Sequence, residues 1–133
     1  MEMSKESFDS FTIVKKSRIN KPRLSFKKIK EDILGPKYIL SLVFVGDKIS
    51  RDLNKNHRNK DMPANVLSFP LSTDEGEVFI NLKKARDEAP RFGMSFTKFV
   101  GYLFIHAALH LKGMQHGCTM EKEEKRLLRY YLG

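Results

Sequence analysis

The sequence predicts an α+β domain, a small mixed sheet of about four strands with helices packed around it. Three observations carry this. The run Tyr38–Val45, YILSLVFV, is almost wholly apolar and rich in β-branched and aromatic residues, which marks a central strand covered on both faces. Two more β-type runs, Val66–Phe69 and Glu77–Leu82, flank a polar turn at Ser72–Gly76 and read as a hairpin. From Phe96 to Leu111 the apolar residues cover much of a helical circumference, the pattern of a buried central helix.

The remaining elements follow in order. Phe8–Lys15 alternates weakly and reads as one strand at a sheet edge. From Lys15 to Lys30 there are eight Lys or Arg and no acid. Ser25 caps a short amphipathic helix with Phe26, Ile29, Ile33 and Leu34 on one side, and Gly35-Pro36 ends it. Asp47 caps a polar helix to about Asn56, with Ile49 and Leu53 facing inward. The segment NKNHRNKDMPAN reads as a basic loop, and Pro70 halts the strand after it. Leu82–Ala89 is a helix stopped at Pro90, and Ser95 caps the long helix. Thr119 opens a last helix, with Glu121, Glu123 and Glu124 early and Arg126 and Arg129 late, as its dipole prefers. Leu127, Leu128, Tyr131 and Leu132 anchor that helix.

At 133 residues the chain is long enough for one domain, 1–133, with a core of its own. A net charge of +9 suits polyanionic partners: nucleic acid, the ribosome or an anionic membrane surface. The single cysteine, Cys118, excludes an intramolecular disulfide framework and fits a reducing compartment. The opening MEMSKESFDSF has no apolar signal core, and Phe99–Leu111 is too short to span a bilayer. The expectation is a cytoplasmic protein with no membrane partner.

Three of the four histidines fall in HAALHLKGMQH: His106, His110 and His116. His106 and His110 lie one helical turn apart on one face. Gly113 then lets the chain turn so that His116 swings back. Three separate hydrogen-bonding networks would be needed to satisfy these imidazoles individually, whereas one divalent metal satisfies all three. Zinc is the expected ion, although nickel and copper bind such ligands too.

The spacing H-x-x-x-H-x-x-G-x-x-H is that of the metzincin proteases, but Ala107 stands where their general-base glutamate belongs. Alanine accepts no proton, which removes the usual route to peptide hydrolysis. A substrate with an internal nucleophile, such as an RNA 2′-hydroxyl, asks less of the protein. It needs a cation near the phosphate, and the basic loop offers Arg58 first, then Lys60 and Lys55.

HAALHLKGMQH and the upstream NKNHRNKDMPANVLSFP together resemble the YbeY family of metal-dependent endoribonucleases, with GEVFIN similar to a strand between the family's two motifs. The resemblance covers Leu42 to the C-terminus; the basic N-terminal third matches only in layout. It departs at Ala64, where threonine is usual, at His57, often tyrosine, and at Glu77, often aspartate. The resemblance implies that His106, His110 and His116 hold one Zn²⁺ and that Arg58 is the catalytic-cleft arginine. It also implies single-strand-directed cleavage in ribosomal RNA processing, especially at the 3′ end of the small-subunit rRNA, and a role in ribosome quality control. The partners it implies are ribosomal RNA and the small subunit or its assembly factors, with no DNA. The alternative is a non-catalytic assembly factor with a structural zinc site. Cys118, two residues from His116, would close such a site if its thiolate bound the metal. His57 reads as an exposed loop residue, and the basic stretch Lys15–Lys30 as a phosphate-tracking surface.

Overall fold

A computed structural model describes residues 4–133, so the first three residues of the N-terminal segment lie outside it. The fold is α+β, with one sheet of five strands in the order β1-β2-β3-β5-β4. These are β1 (Ser4–Phe8), β2 (Phe11–Lys15), β3 (Ile39–Val45), β4 (Val66–Ser72) and β5 (Glu75–Asn81). The sheet is mixed: β1/β2 and β4/β5 are antiparallel hairpins, while β2/β3 and β3/β5 are parallel. Five helices surround it: α1 (Phe26–Leu34), α2 (Asp47–Arg58), α3 (Leu82–Glu88), α4 (Phe96–Leu111) and α5 (Cys118–Leu132).

The extra strand comes from the first run. Instead of one edge strand, the chain folds back at Asp9-Ser10, and Asp9 takes a φ of 43°. Aspartate tolerates this left-handed geometry, so the turn forms without the glycine that would have announced it. β1 becomes the edge and β2 lies inside the sheet.

β3 is the middle strand, as its apolar run requires. Leu40, Leu42 and Phe44 point into the main core, while the alternate residues Val43 and Val45 are buried on the opposite face. On the core face lies α4, with α1 and α5 packed against it. Phe104 of α4 is fully buried and meets Phe26 edge-on at 5.3 Å and Phe11 at 6.2 Å. Among the described residues, no single helix is long and apolar enough to cross a membrane.

Ser95 caps α4 as expected, accepting from the Lys98 N–H at 3.1 Å. Other boundaries differ. Gly46, not Asp47, occupies the cap of α2, and Asp47 is its first helical residue, bonded instead to Asn81 at 2.8 Å. Pro70 does not end β4, because β4 is an edge strand and a missing N–H there breaks no ladder bond. The strand runs on to Ser72 through an irregularity at Pro70/Ser72. Pro90 does close α3, but the chain continues as a 3₁₀ turn over Ala89–Phe92.

α5 approaches α4 closely at Gly101. A Cβ there would sit 2.2 Å from Leu132 Cδ1 and 3.4 Å from Leu24 Cδ1. Gly101→Val is expected to lower stability by about 1–3 kcal/mol, read as a lower midpoint in urea unfolding. An unchanged midpoint would show that Leu132 simply moves aside.

Candidate metal centre

The three histidines meet at the C-terminal end of α4. His106 and His110 project from its last two turns. The helix then ends in a paired closure: the Gly113 N–H donates to the His110 carbonyl at 2.9 Å and the Met114 N–H to the Leu109 carbonyl at 3.0 Å. Gly113 takes a φ of 106°, which a side chain would strain. This reversal carries His116 back over the helix end.

One nitrogen from each ring lies within 4.8 Å of the others. The Nε2 atoms of His110 and His116 are 3.1 Å apart. Two nitrogens sharing a tetrahedral zinc at about 2.0–2.1 Å would be separated by about 3.3 Å, so the donor set fits such an ion. Burial, followed by the neighbouring His106 and His116 rings, pulls the His110 imidazole below its ordinary pKa. That favours the neutral ring, the form that binds metal.

A fourth residue completes the arrangement. His106 Nδ1 is hydrogen-bonded to the carboxylate of Glu124 on α5, which is only 6% exposed. A carboxylate accepts, so the proton sits on Nδ1 and the Nε2 lone pair is left for a metal. The place of Glu124 early in α5 suits the helix dipole, but the structure turns it inward. Its signal was periodicity: Met120, Glu124, Leu127 and Leu128 share the buried face, and a glutamate among such neighbours needs a partner. Glu124→Gln is expected to weaken metal binding by about 10–100-fold, measured by competition against a chromogenic chelator. Undiminished affinity would reduce Glu124 to a packing role.

The histidines open onto a cleft of about 540 Å³. One wall is α4, with Ala107 and Leu111; the other is the free edge of β4, with Val66, Ser68 and Pro70. The Asn81 N–H donates to the Asn65 carbonyl, so by alternation the backbone groups of Val66 and Ser68 turn away from β5 toward the open edge.

Arg58 lines the same cleft. It belongs to the last turn of α2 rather than to a loop, and Asn59 ends that helix in a left-handed conformation. The segment after it is clamped from below. Ser50 Oγ donates to the Ala64 carbonyl at 2.6 Å and accepts from the Ala64 N–H at 2.8 Å; Asn54 Nδ2 donates to the Met62 carbonyl at 2.9 Å. Ser50 and Asn54 are therefore the fully buried residues of α2, whereas Ile49 and Leu53, expected inside, are half-buried. Burying two small polar groups leaves no apolar signal, which is why the sequence reading missed them.

The other cations do not converge on the cleft. Lys55 lines a separate depression with Asp47, Arg51 and Asp61, and Lys60 is exposed outside the cleft wall. Lys30, within the basic stretch, is buried, and its Nζ donates to Ser10 Oγ at 2.8 Å and the Pro36 carbonyl at 3.2 Å. Burial pulls its ammonium below the ordinary lysine pKa. His57 packs its ring on Phe69 at 4.6 Å. Cys118 is exposed and contributes nothing to the histidine cluster, which contains no fourth protein ligand among the described residues.

A family model for the endoribonuclease YbeY matches residues 6–130. The chain belongs to the YbeY family. Similar YbeY proteins include that of Carboxydothermus hydrogenoformans, 40% identical over 96 residues, covering 68% of this chain and 65% of that protein. The Campylobacter jejuni YbeY is 41% identical over 106 residues, covering 74% of this chain and 78% of its own. A Clostridium botulinum YbeY is 33% identical over 127 residues, covering 76% and 75%. The fold is similar to the solution structure of TM1509 from Thermotoga maritima, with a TM-score of 0.59 and 26% identity over 78% of this chain and 77% of that one.

Proposed function

We propose that this YbeY-family chain is a zinc-dependent endoribonuclease that cuts single-stranded RNA during ribosomal RNA maturation in the cytoplasm, chiefly at the 3′ end of the small-subunit rRNA. The observation that carries the reading is convergence: three histidines and Arg58, from elements far apart in sequence, line one cleft. Membership of a family whose relatives are named endoribonucleases supports RNA as the substrate.

His106, His110 and His116 would hold the metal, with Glu124 fixing the His106 tautomer. An ion held there would supply Lewis-acid stabilisation of charge on the scissile phosphate. Arg58 binds the phosphodiester through its planar, two-pronged fork. Its place in the last turn of α2, beside the clamped Met62–Ala64 segment, fixes the backbone that carries it. Ala107 leaves the cleft floor without a base, so a peptide substrate gains no proton acceptor there. The outward backbone groups of Val66 and Ser68 give an extended strand hydrogen-bond partners along the wall.

The test is single-turnover cleavage of small-subunit precursor rRNA by zinc-loaded protein, beside chelator-treated protein and a casein digest. Metal-dependent RNA cleavage with intact casein is expected. RNA cleavage that survives chelation would remove the metal from the reading.

A further inference from the structure

The outer face of α5 carries a second basic surface, apart from the cleft. Lys122, Lys125, Arg126 and Arg129 recur at three- and four-residue steps and form one exposed stripe. With Tyr130 they line a shallow depression of about 480 Å³. Tyr130 is 74% exposed, although its neighbours Tyr131 and Leu132 already supply the apolar anchor of the helix end. Its ring stands perpendicular to Tyr131 at 4.9 Å, which braces it on the surface.

The acids of α5 leave this stripe cationic. Glu124 turns inward to His106, Glu123 pairs with Arg126, and the exposed Glu121 of the first turn takes part in no ion pair among the described residues, so the four cations outnumber the acids on this face. Among the described residues, Lys122, Lys125 and Arg129 take part in no ion pair within 4 Å. Four cations around an exposed aromatic ring match a single-stranded nucleic acid, which offers phosphates and unstacked bases together. A protein partner would need acids for the stripe and an apolar pocket for the ring, and nothing on this face selects such a pairing.

The two surfaces are separate, but the chain ties one to the other. α5 begins two residues after His116, and its inner face is fixed to His106 through Glu124. Lys122 to Arg129 then spans about 10 Å along the helix axis. We propose that the outer face of α5 is an auxiliary RNA-binding surface, where Lys122, Lys125, Arg126 and Arg129 contact phosphates and Tyr130 stacks on an unpaired base. The inference rests on the endoribonuclease reading and adds to it a track for RNA that extends beyond the cleft.

The test uses the full chain with metal, an unstructured labelled RNA of about 20 nucleotides and a tetranucleotide short enough to occupy the cleft alone. The variants are K122Q/K125Q/R126Q/R129Q and Tyr130→Ala, each checked for folding by thermal melting. For the long RNA, the fourfold variant is expected to flatten the plot of log affinity against log salt by about 3 in slope, at about 0.7 per lost phosphate contact. Tyr130→Ala is expected to weaken long-RNA binding about tenfold. Cleavage of the tetranucleotide should stay at the parent rate in both. Unchanged long-RNA affinity and slope would overturn the proposal, and so would equal losses on both RNAs. Binding of the parent to anionic lipid vesicles but not to RNA would overturn it too. If long-RNA binding falls as expected while the parent cleaves neither RNA, the surface stands and the nuclease reading fails.

Discussion

Replacing His110 with alanine is expected to reduce bound metal from about one ion per chain to background and RNA cleavage by at least about 10³-fold. The size follows from position. The three rings form a near-regular triangle, with His110 centred 4.7 Å from His106 and 4.5 Å from His116, and those two 5.2 Å apart. Its removal leaves two imidazoles of the three, too few donors to hold a tetrahedral ion firmly. A metal catalyst contributes several kcal/mol of charge stabilisation, and each 1.36 kcal/mol is a decade in rate. Metal content by mass spectrometry and single-turnover cleavage are the readouts. Parent-level cleavage by metal-free protein with all three histidines replaced would refute the assignment.

Arg58→Ala is expected to lower the cleavage rate by about 10²–10³-fold while metal content and fold stay at parent level. Arg58 is on the protein surface at the end of α2, so its truncation empties no core position. Arg58→Lys should restore only part of the rate, since a lysine keeps the charge but loses the two-pronged contact. The outcome separates an enzyme from a non-catalytic assembly factor. For a binding factor there is no metal-dependent turnover to lose, and the substitution should produce only a salt-sensitive weakening of RNA binding.

What the sequence made legible was set by strong periodicity. β3 and α4 are dense apolar patterns whose burial leaves little choice, and both lie where that pattern requires. The β4/β5 hairpin follows from its polar turn. The histidine spacing is equally readable, because a helical turn and one glycine are enough to bring the rings together. Features held by polar contacts were not legible. The Asp9 turn, the Ser50 and Asn54 clamp and the burial of Lys30 and Glu124 each use residues that are usually exposed. The clamp and the two buried charges depend on partners 8 to 20 residues away, which no local pattern reports. Arg58 is an intermediate case: guanidinium chemistry puts it ahead of Lys60 and Lys55, and the structure adds that of the three it alone lines the cleft.

The close approach at Gly101 and the Glu124–His106 bond join α4 and α5 at two points. The three histidines that could hold a metal span the turn between these helices, so an ion bound there would close a third link. Metal occupancy and C-terminal docking then become a single linked equilibrium, in which free ion at 100 times its dissociation constant adds about 2.7 kcal/mol to the docked state. A chelator acts in that scheme as a denaturant of local range. It loosens α5 before the sheet responds, and with it the basic outer face that the helix carries.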